Sequence, residues 1–253
     1  MAVLAKIEFG ILRLTIDRPQ KRNAINAAMF DSLTEALVSA ERDNDVRVVL
    51  LEGGETIFSA GADLEELLSS PDALTRASNA FFAELRTFPK PVVAQVNGPC
   101  VGEAFAALLY CDLVYASENA LFSLPAVALA RTPTCGSAAI MSEAAGHARA
   151  AEKLLLSEPI SAQEAADMKL LTAIYDAEAL PKAVAAKVAR LAVLPPGAVQ
   201  ATKALLCSVR ETKLAAFTDT EARISAEQAA SAEAKEALSA FLAGRKPVFR
   251  HAE

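Results

Sequence analysis

The sequence predicts an α/β fold with a largely parallel sheet and a helical C-terminal third, and three observations carry that expectation. Strand-like and helix-like segments alternate through the first half, an order that favours parallel pairing with right-handed crossovers. Past Pro125 the strand pattern gives way to Ala-rich stretches in which charges recur at helical spacing. With 253 residues, 53% of them hydrophobic, the chain is long enough to fill one large core. The expected division is a core over residues 1–195 and a C-terminal helical region over 196–253.

Residues 4–8 and 11–16 alternate and are rich in β-formers, predicting a hairpin with one face buried. "DRPQKRNAIN" then turns the chain. From Ala27 to Arg42 the apolar Met29, Phe30, Leu33, Leu37 and Val38 fall three and four apart, the spacing of an amphipathic helix. "VRVVLLEG" follows as a buried strand. After "FSAGAD", Asp63 stands as N-cap of a helix over Leu64–Ser69, with Glu66 completing a D-x-x-E capping box. A helix over about 72–87 leads through "FPKP" to the strand "PVVAQVN", a Gly-containing turn, a short apolar helix and the strand "DLVYAS". "GSAAIMSEAAG", "HARAAEKLLL" and "SAQEAADM" continue as helices, followed by long helical stretches from Pro181 to Leu242 with "LPPG" as their break. Ala-rich helices with more than one apolar side pack on the core or on a second subunit.

A net charge of −6, with basic residues scattered, leaves no broad cationic face to displace counterions from nucleic acid. The opening "MAVLAKIEFG" has no leader pattern, and no apolar run reaches membrane-spanning length without a charge, Gly or Pro. A soluble cytoplasmic protein that engages no membrane is expected. Cys100, Cys111, Cys135 and Cys207 have no CxxC spacing and read as free thiols. His147 and His251 are the only histidines and form no ligand pattern, so no metal is expected.

Two segments share a design: "FSAGADLEEL" and "VNGPCVGEAF" each run from a strand through small residues into a helix N-terminus, where main-chain N–H groups are unpaired. A pair of such ends facing one pocket would hold an oxygen on which negative charge develops. The order and spacing of "RPQKRNAIN", "FSAGADLEEL", "VNGPCVGEAFAALLYCDLVYASENALFSLP" and "ISAQEAADMKLL" resembles the crotonase, or enoyl-CoA hydratase/isomerase, superfamily over nearly the whole chain. The form "NGPxVG…DLVYAS" is most similar to the Δ3,Δ2-enoyl-CoA isomerase branch.

That resemblance implies a crotonase-like (ClpP/crotonase) fold, a spiral of stacked ββα units whose helical C-terminal region trimerises, with two trimers often stacking into a hexamer. It implies a fatty acyl-CoA thioester as substrate and no further cofactor. It also implies a carbonyl held by two backbone N–H groups that stabilise an enolate, which fall here on Ala60 and Glu103. Losing one such donor costs roughly 3 to 4 kcal/mol, so Glu103 matters for its amide. Its ionised side chain at about 4 Å from the enolate oxygen would repel it by roughly 4 kcal/mol at an effective dielectric near 20. The side chain is therefore expected to point away, with protonation as the alternative.

Hydratase-like members of the family carry Glu at the positions matching Ala106 and Ala126, and the isomerase branch at the position matching Thr134; all three are vacant. Since a positioned acid or base contributes roughly 10² to 10⁴ in rate, a weak hydratase or isomerase by the usual route is expected. An acyl-CoA-binding homologue without turnover, or another thioester reaction such as hydrolysis or decarboxylation, stands as the alternative. Glu103 is the best-placed remaining proton carrier by sequence and Glu143 the next, with Thr134, Cys135 and Cys100 as neutral stand-ins. No His is placed by sequence to activate Cys135 as a nucleophile. For the CoA end, the resemblance sets Arg22 and the backbone near Ala24 along the adenine and phosphates, with Arg18 and Lys21 adding charge. Lys246, in the basic stretch "GRKPVFR", would close over the CoA. Ala62, Asp63 and Leu64, with Ala126 and Thr134, complete the implied substrate contacts.

Overall fold

The computed structural model describes residues 3–249, apart from the side chains at 212, 213, 215, 216 and 218. Arg250, the last basic residue of "GRKPVFR", and His251 lie outside the described residues. Strands β1 (Val3–Glu8) and β2 (Ile11–Ile16) form the expected antiparallel hairpin. Only β2 buries one face, through Leu12, Leu14 and Ile16; β1 leaves Leu4 and Ile7 near half exposed, because it is the outermost strand of its sheet. Helix α1 (Ala27–Arg42) has the predicted bounds and is capped by the Asn26 side chain, which accepts from Met29 N at 3.0 Å.

The remaining elements are β3 (Val48–Glu52), α2 (Leu64–Ser69), α3 (Pro71–Thr87), β4 (Val92–Val96), β5 (Pro99–Val101), α4 (Glu103–Leu108), β6 (Leu113–Ser117) and β7 (Leu121–Ser123). Then come α5 (Ser137–Ala145), α6 (His147–Leu156), β8 (Ile160–Ser161), α7 (Ala162–Asp167), β9 (Ala173–Tyr175), α8 (Leu180–Ala192), α9 (Pro196–Ala229) and α10 (Ala232–Leu242). One sheet runs β1-β2-β3-β4-β6-β9, parallel from β2 onward; a second, smaller one runs β5-β7-β8. Side-chain alternation along a strand divides the core into two layers. Val49, Leu51, Val92 and Ala94 face the main core with α1 and α3, where Phe30 packs on Phe81 at 5.7 Å. Their sequence neighbours Val48, Leu50 and Val93 point the other way, against Leu180, Val184 and Val188 of α8.

Helix α9 follows the predicted "LPPG" break, but a second break that the Ala-rich pattern hid occurs at Ala230–Ser231. There the Ser231 hydroxyl accepts from Ala234 N at 3.0 Å and starts α10, which packs back on α2. No helix among the described residues is long and apolar enough to cross a membrane.

Candidate active site

The two strand-to-helix turns lie backbone to backbone. Phe58 N donates to Pro99 O at 2.9 Å and Val101 N to Ser59 O at 2.9 Å, so the segment entering α2 runs beside the one entering α4. Gly61 makes the approach possible: its φ is +87°, and a Cβ there would sit 2.6 Å from Val101 O.

The first turn is fixed by "RPQKRNAIN". Asn23 is buried and bonds in three directions: its Oδ1 accepts from Arg18 N at 2.8 Å, and its Nδ2 donates to Ile57 O and Phe58 O, both at 3.2 Å. The Ser59 hydroxyl donates to Asn23 O at 2.7 Å and accepts from Gly61 N at 3.1 Å. Arg18 reaches inward to Asp63 at 2.6 Å and to Ala24 O at 3.1 Å. Burial alone would raise the Asp63 carboxyl, but the Arg18 hydrogen bond and charge, with the Glu65 and Glu66 amides, outweigh it and hold the group below its usual range. Arg18 is thus an internal strut and not a free cation for phosphates. Lys21 pairs with Glu65 at 2.7 Å, while Arg22 is exposed beside Ala24 and has no ion pair among the described residues.

Three expectations need correction here. Ala60 N donates to Arg22 O at 3.0 Å, so that amide is already satisfied within the turn and is not available to a substrate oxygen. The amide that faces α4 is that of Ala62, which donates to Glu103 Oε2 at 3.2 Å. Glu103 therefore turns its carboxylate across the gap onto the first turn instead of away from it, because an unpaired N–H there offers a charge-assisted hydrogen bond. Finally, Asp63 caps α2 as predicted, accepting from Glu65 N and Glu66 N at 3.0 and 3.2 Å, but Glu66 does not close the box. Its carboxylate accepts from Ala27 N at 2.9 Å and serves the first turn of α1. Leu64 opens α2, half-buried.

Of the three vacant positions, Ala106 is buried inside α4, Ala126 opens the 3-10 turn Val127–Leu129, and Thr134 is half-buried in the loop before α5. The Thr134 hydroxyl lies 3.7 Å from the Cys135 sulfur. Burial pushes the Cys135 thiol up, the Glu103 charge adds to this, the Thr134 hydrogen bond opposes it and the Glu221 charge adds again. Such a thiol stays protonated and makes a poor nucleophile. Cys100 is fully buried and its thiol is likewise raised. Glu143 is exposed on α5. Lys246 is exposed beyond α10, where its neighbour Arg245 grips Glu236 at 2.6 and 2.8 Å.

One acid that sequence reasoning passed over stands close to this loop. Glu221 of α9 accepts from Gly136 N with both oxygens, at 3.0 and 2.9 Å. Burial raises its carboxyl, against the opposing Gly136 hydrogen bond. Its spacing from Ser225 and Gln228 on one helix face is a signal legible in the sequence, although its partner 85 residues away is not.

Comparison with known proteins bears on this arrangement. A sequence profile described as enoyl-CoA hydratase/isomerase matches residues 6–252. The chain is 33% identical over 242 residues to 2,3-dehydroadipyl-CoA hydratase of Escherichia coli K12, covering 95% of each. It is 32% identical over 252 residues to enoyl-CoA delta isomerase 2 of Rattus norvegicus, covering 97% of this chain and 64% of that one. Among solved structures, an enoyl-CoA hydratase/isomerase from Pseudoalteromonas atlantica T6c superposes with a TM-score of 0.92 at 31% identity, over 99% of this chain and 100% of the other.

Proposed function

Because the chain belongs to the enoyl-CoA hydratase/isomerase family, with the crotonase fold, and is an enzyme that processes acyl-CoA thioesters, we propose that it polarises the thioester carbonyl between the N–H groups of Ala62 and Glu103 and stabilises the resulting enolate there. One observation carries the reading: the Ala62 amide already holds an anionic oxygen, that of Glu103, at 3.2 Å. The carboxylate oxygen stands in for the enolate oxygen of a bound substrate. The Glu103 amide is the first of α4, one of the donors that a helix leaves unpaired. Preorganised donors of this kind are worth roughly 3 to 4 kcal/mol each when aimed at developing charge. To admit the substrate, the Glu103 side chain must leave Ala62.

The expected substrate is an unsaturated acyl-CoA, in line with the relatives' names, and no cofactor beyond the CoA thioester itself is proposed. Arg22, exposed beside Ala24, and Lys246 beyond α10 are the cations for the CoA phosphates. Four free cysteines fit a reducing, cytoplasmic setting. Ala106, Ala126 and Thr134 support a second reading, an acyl-CoA-binding homologue with little turnover, or one that runs thioester hydrolysis or decarboxylation on the same donors.

A panel of saturated, 2-enoyl and 3-enoyl CoA thioesters tests this, with binding followed by calorimetry and product by mass spectrometry. Turnover of an unsaturated thioester is the expected outcome. Tight binding without product selects the second reading, and absence of binding removes the donor pair as a thioester site.

A further inference from the structure

We propose that the Glu103 side chain is the acid/base of this site: its carboxylate takes a proton from C2 of the bound thioester and later returns one, while the amide of the same residue helps to hold the enolate. The assignment rests on the acyl-CoA reading above. The carboxylate is already in place, because its Oε2 accepts from Ala62 N at 3.2 Å and so stands where the thioester oxygen would stand. In a thioester, C2 lies about 2.4 Å from that oxygen, across one C=O and one C–C bond. A carboxylate displaced from Ala62 by the incoming oxygen therefore needs no more than a rotamer change to meet the proton on C2.

The side chain is free to make that change. Among the described residues its one side-chain hydrogen bond is the one to Ala62 N, and it forms no ion pair. At 3.2 Å this bond is longer than the roughly 2.7 to 2.9 Å of a strong charge-assisted one, so a substrate oxygen can replace it. Glu103 is half-buried, which leaves its carboxylate a route for exchanging protons with water.

The neighbouring groups are engaged elsewhere or hold their protons. Arg18 and the Glu65 and Glu66 amides bind the Asp63 carboxylate and hold it below its usual range, which makes it a weak base. The Glu66 carboxylate accepts from Ala27 N at 2.9 Å. The Cys135 thiol, raised chiefly by burial, is neutral at pH 7. Ala106, Ala126 and Thr134 supply no carboxylate.

Charge favours the same assignment. An ionised carboxylate fixed beside the enolate would repel it, and the more so where water is excluded. A carboxylate that has just accepted the C2 proton is neutral when the enolate forms. One negative charge thus passes from the carboxylate to the thioester oxygen and back, and the Ala62 N–H has an anionic oxygen to hold both before the substrate enters and while the enolate lasts.

The step balances without any co-reactant. The Glu103 carboxylate removes a proton from C2, the C–H electron pair becomes the second bond between C1 and C2, and the carbonyl π pair moves onto the oxygen. With a 3-enoyl substrate the Glu103 carboxyl returns a proton to C4 as the double bond moves from C3–C4 to C2–C3, and the carboxylate is restored.

Two variants test this, and both keep the main-chain donors. Glu103→Gln retains an oxygen that accepts from Ala62 N but takes up no proton, and Glu103→Ala removes the side chain. Conversion of a 3-enoyl-CoA to the 2-enoyl isomer is followed by ultraviolet absorbance, deuterium uptake at C2 or C4 in D2O by mass spectrometry, and affinity by calorimetry. Both proton-transfer rates should fall by roughly 100-fold or more in each variant, with E103Q binding within about threefold of wild type and E103A binding more tightly. Smaller losses of rate in either variant overturn the proposal. Loss of thioester binding in E103Q also overturns it, marking the carboxylate as a strut. A wild type that binds the thioester yet neither isomerises nor exchanges it overturns the Glu103 role alone, whereas a wild type that binds no thioester overturns the acyl-CoA site itself.

Discussion

Glu103 contributes to the site through two groups with opposite effects. Its amide is a donor for the proposed enolate, and its carboxylate occupies the other donor at 3.2 Å. Substituting Glu103→Ala keeps the amide and vacates Ala62, so acyl-CoA binding should tighten by about tenfold, or roughly 1.4 kcal/mol, in a calorimetric titration. Weaker binding in that variant would show that the carboxylate is not a competitor. The Arg18–Asp63 pair makes a second residue-scale prediction, since both side chains are largely withdrawn from water, at 17% and 8% exposure. Arg18→Met strands a buried carboxylate and should cost roughly 3 kcal/mol in chemical denaturation at neutral pH. Because the folded Asp63 carboxyl lies below its ordinary 3.8, the pair's stabilisation is full above that pH and is lost as pH falls through the lower folded value. The gap between variant and wild type should therefore close in strong acid. Neither Ala60's occupied amide nor Ala62's outward one was legible in "FSAGAD". Which of two alanines two residues apart offers its N–H depends on where the Arg22 carbonyl arrives from, and that is a tertiary fact.

At the scale of elements, bounds followed local pattern closely where a helix buries an apolar stripe. Helix α1 was readable because Met29, Phe30, Leu33 and Leu37 all point into one core. Capping was readable only in part. "SAQE" forms a reciprocal box, with the Ser161 hydroxyl accepting from Glu164 N at 3.2 Å and the Glu164 carboxylate accepting from Ser161 N at 2.8 Å. Those hydrogen bonds and Lys153 hold Glu164 near 2. The similar D-x-x-E at Asp63 and Glu66 does not close, because the α1 N-terminus competes for the Glu66 carboxylate. Helix α9 was the hardest to read, since the face that docks on the fold is mostly polar. Lys203 bonds Asp112 and Lys90 O, each at 2.8 Å, Arg210 donates to Leu109 O at 3.1 Å, and Glu221, Ser225 and Gln228 continue the same stripe. Hydrophobic periodicity is silent about such a face. Lys203→Met should lower unfolding free energy by roughly 1 to 2 kcal/mol, because the buried ammonium is lost from Lys90 O and from Asp112, whose side chain is a quarter exposed and stays hydrated; no measurable loss would show that α9 is held elsewhere.

At the scale of the whole molecule, α9 and the segment before it present Val193, Leu205, Leu206 and Val209 outward, at 62 to 74% exposure. An apolar strip of this kind suits a subunit contact, and a homotrimer or a dimer of trimers is the assembly we propose. Light scattering should return three or six times the chain mass, and Leu205→Glu with Leu206→Glu should reduce it; a monomeric wild type would leave that strip unexplained. The sequence by itself determined the alternation of strands and helices, the two small-residue turns and the order of motifs that identifies the family. Each of these depends on local periodicity, on glycine's backbone freedom or on a run of neighbours. Only the tertiary structure decided which amides stay open, where Glu103 points and that an acid from α9 comes to rest on the Gly136 amide. Hydrogen-bond partners are settled by which distant groups the fold brings within about 3 Å, and separation along the chain carries no record of that.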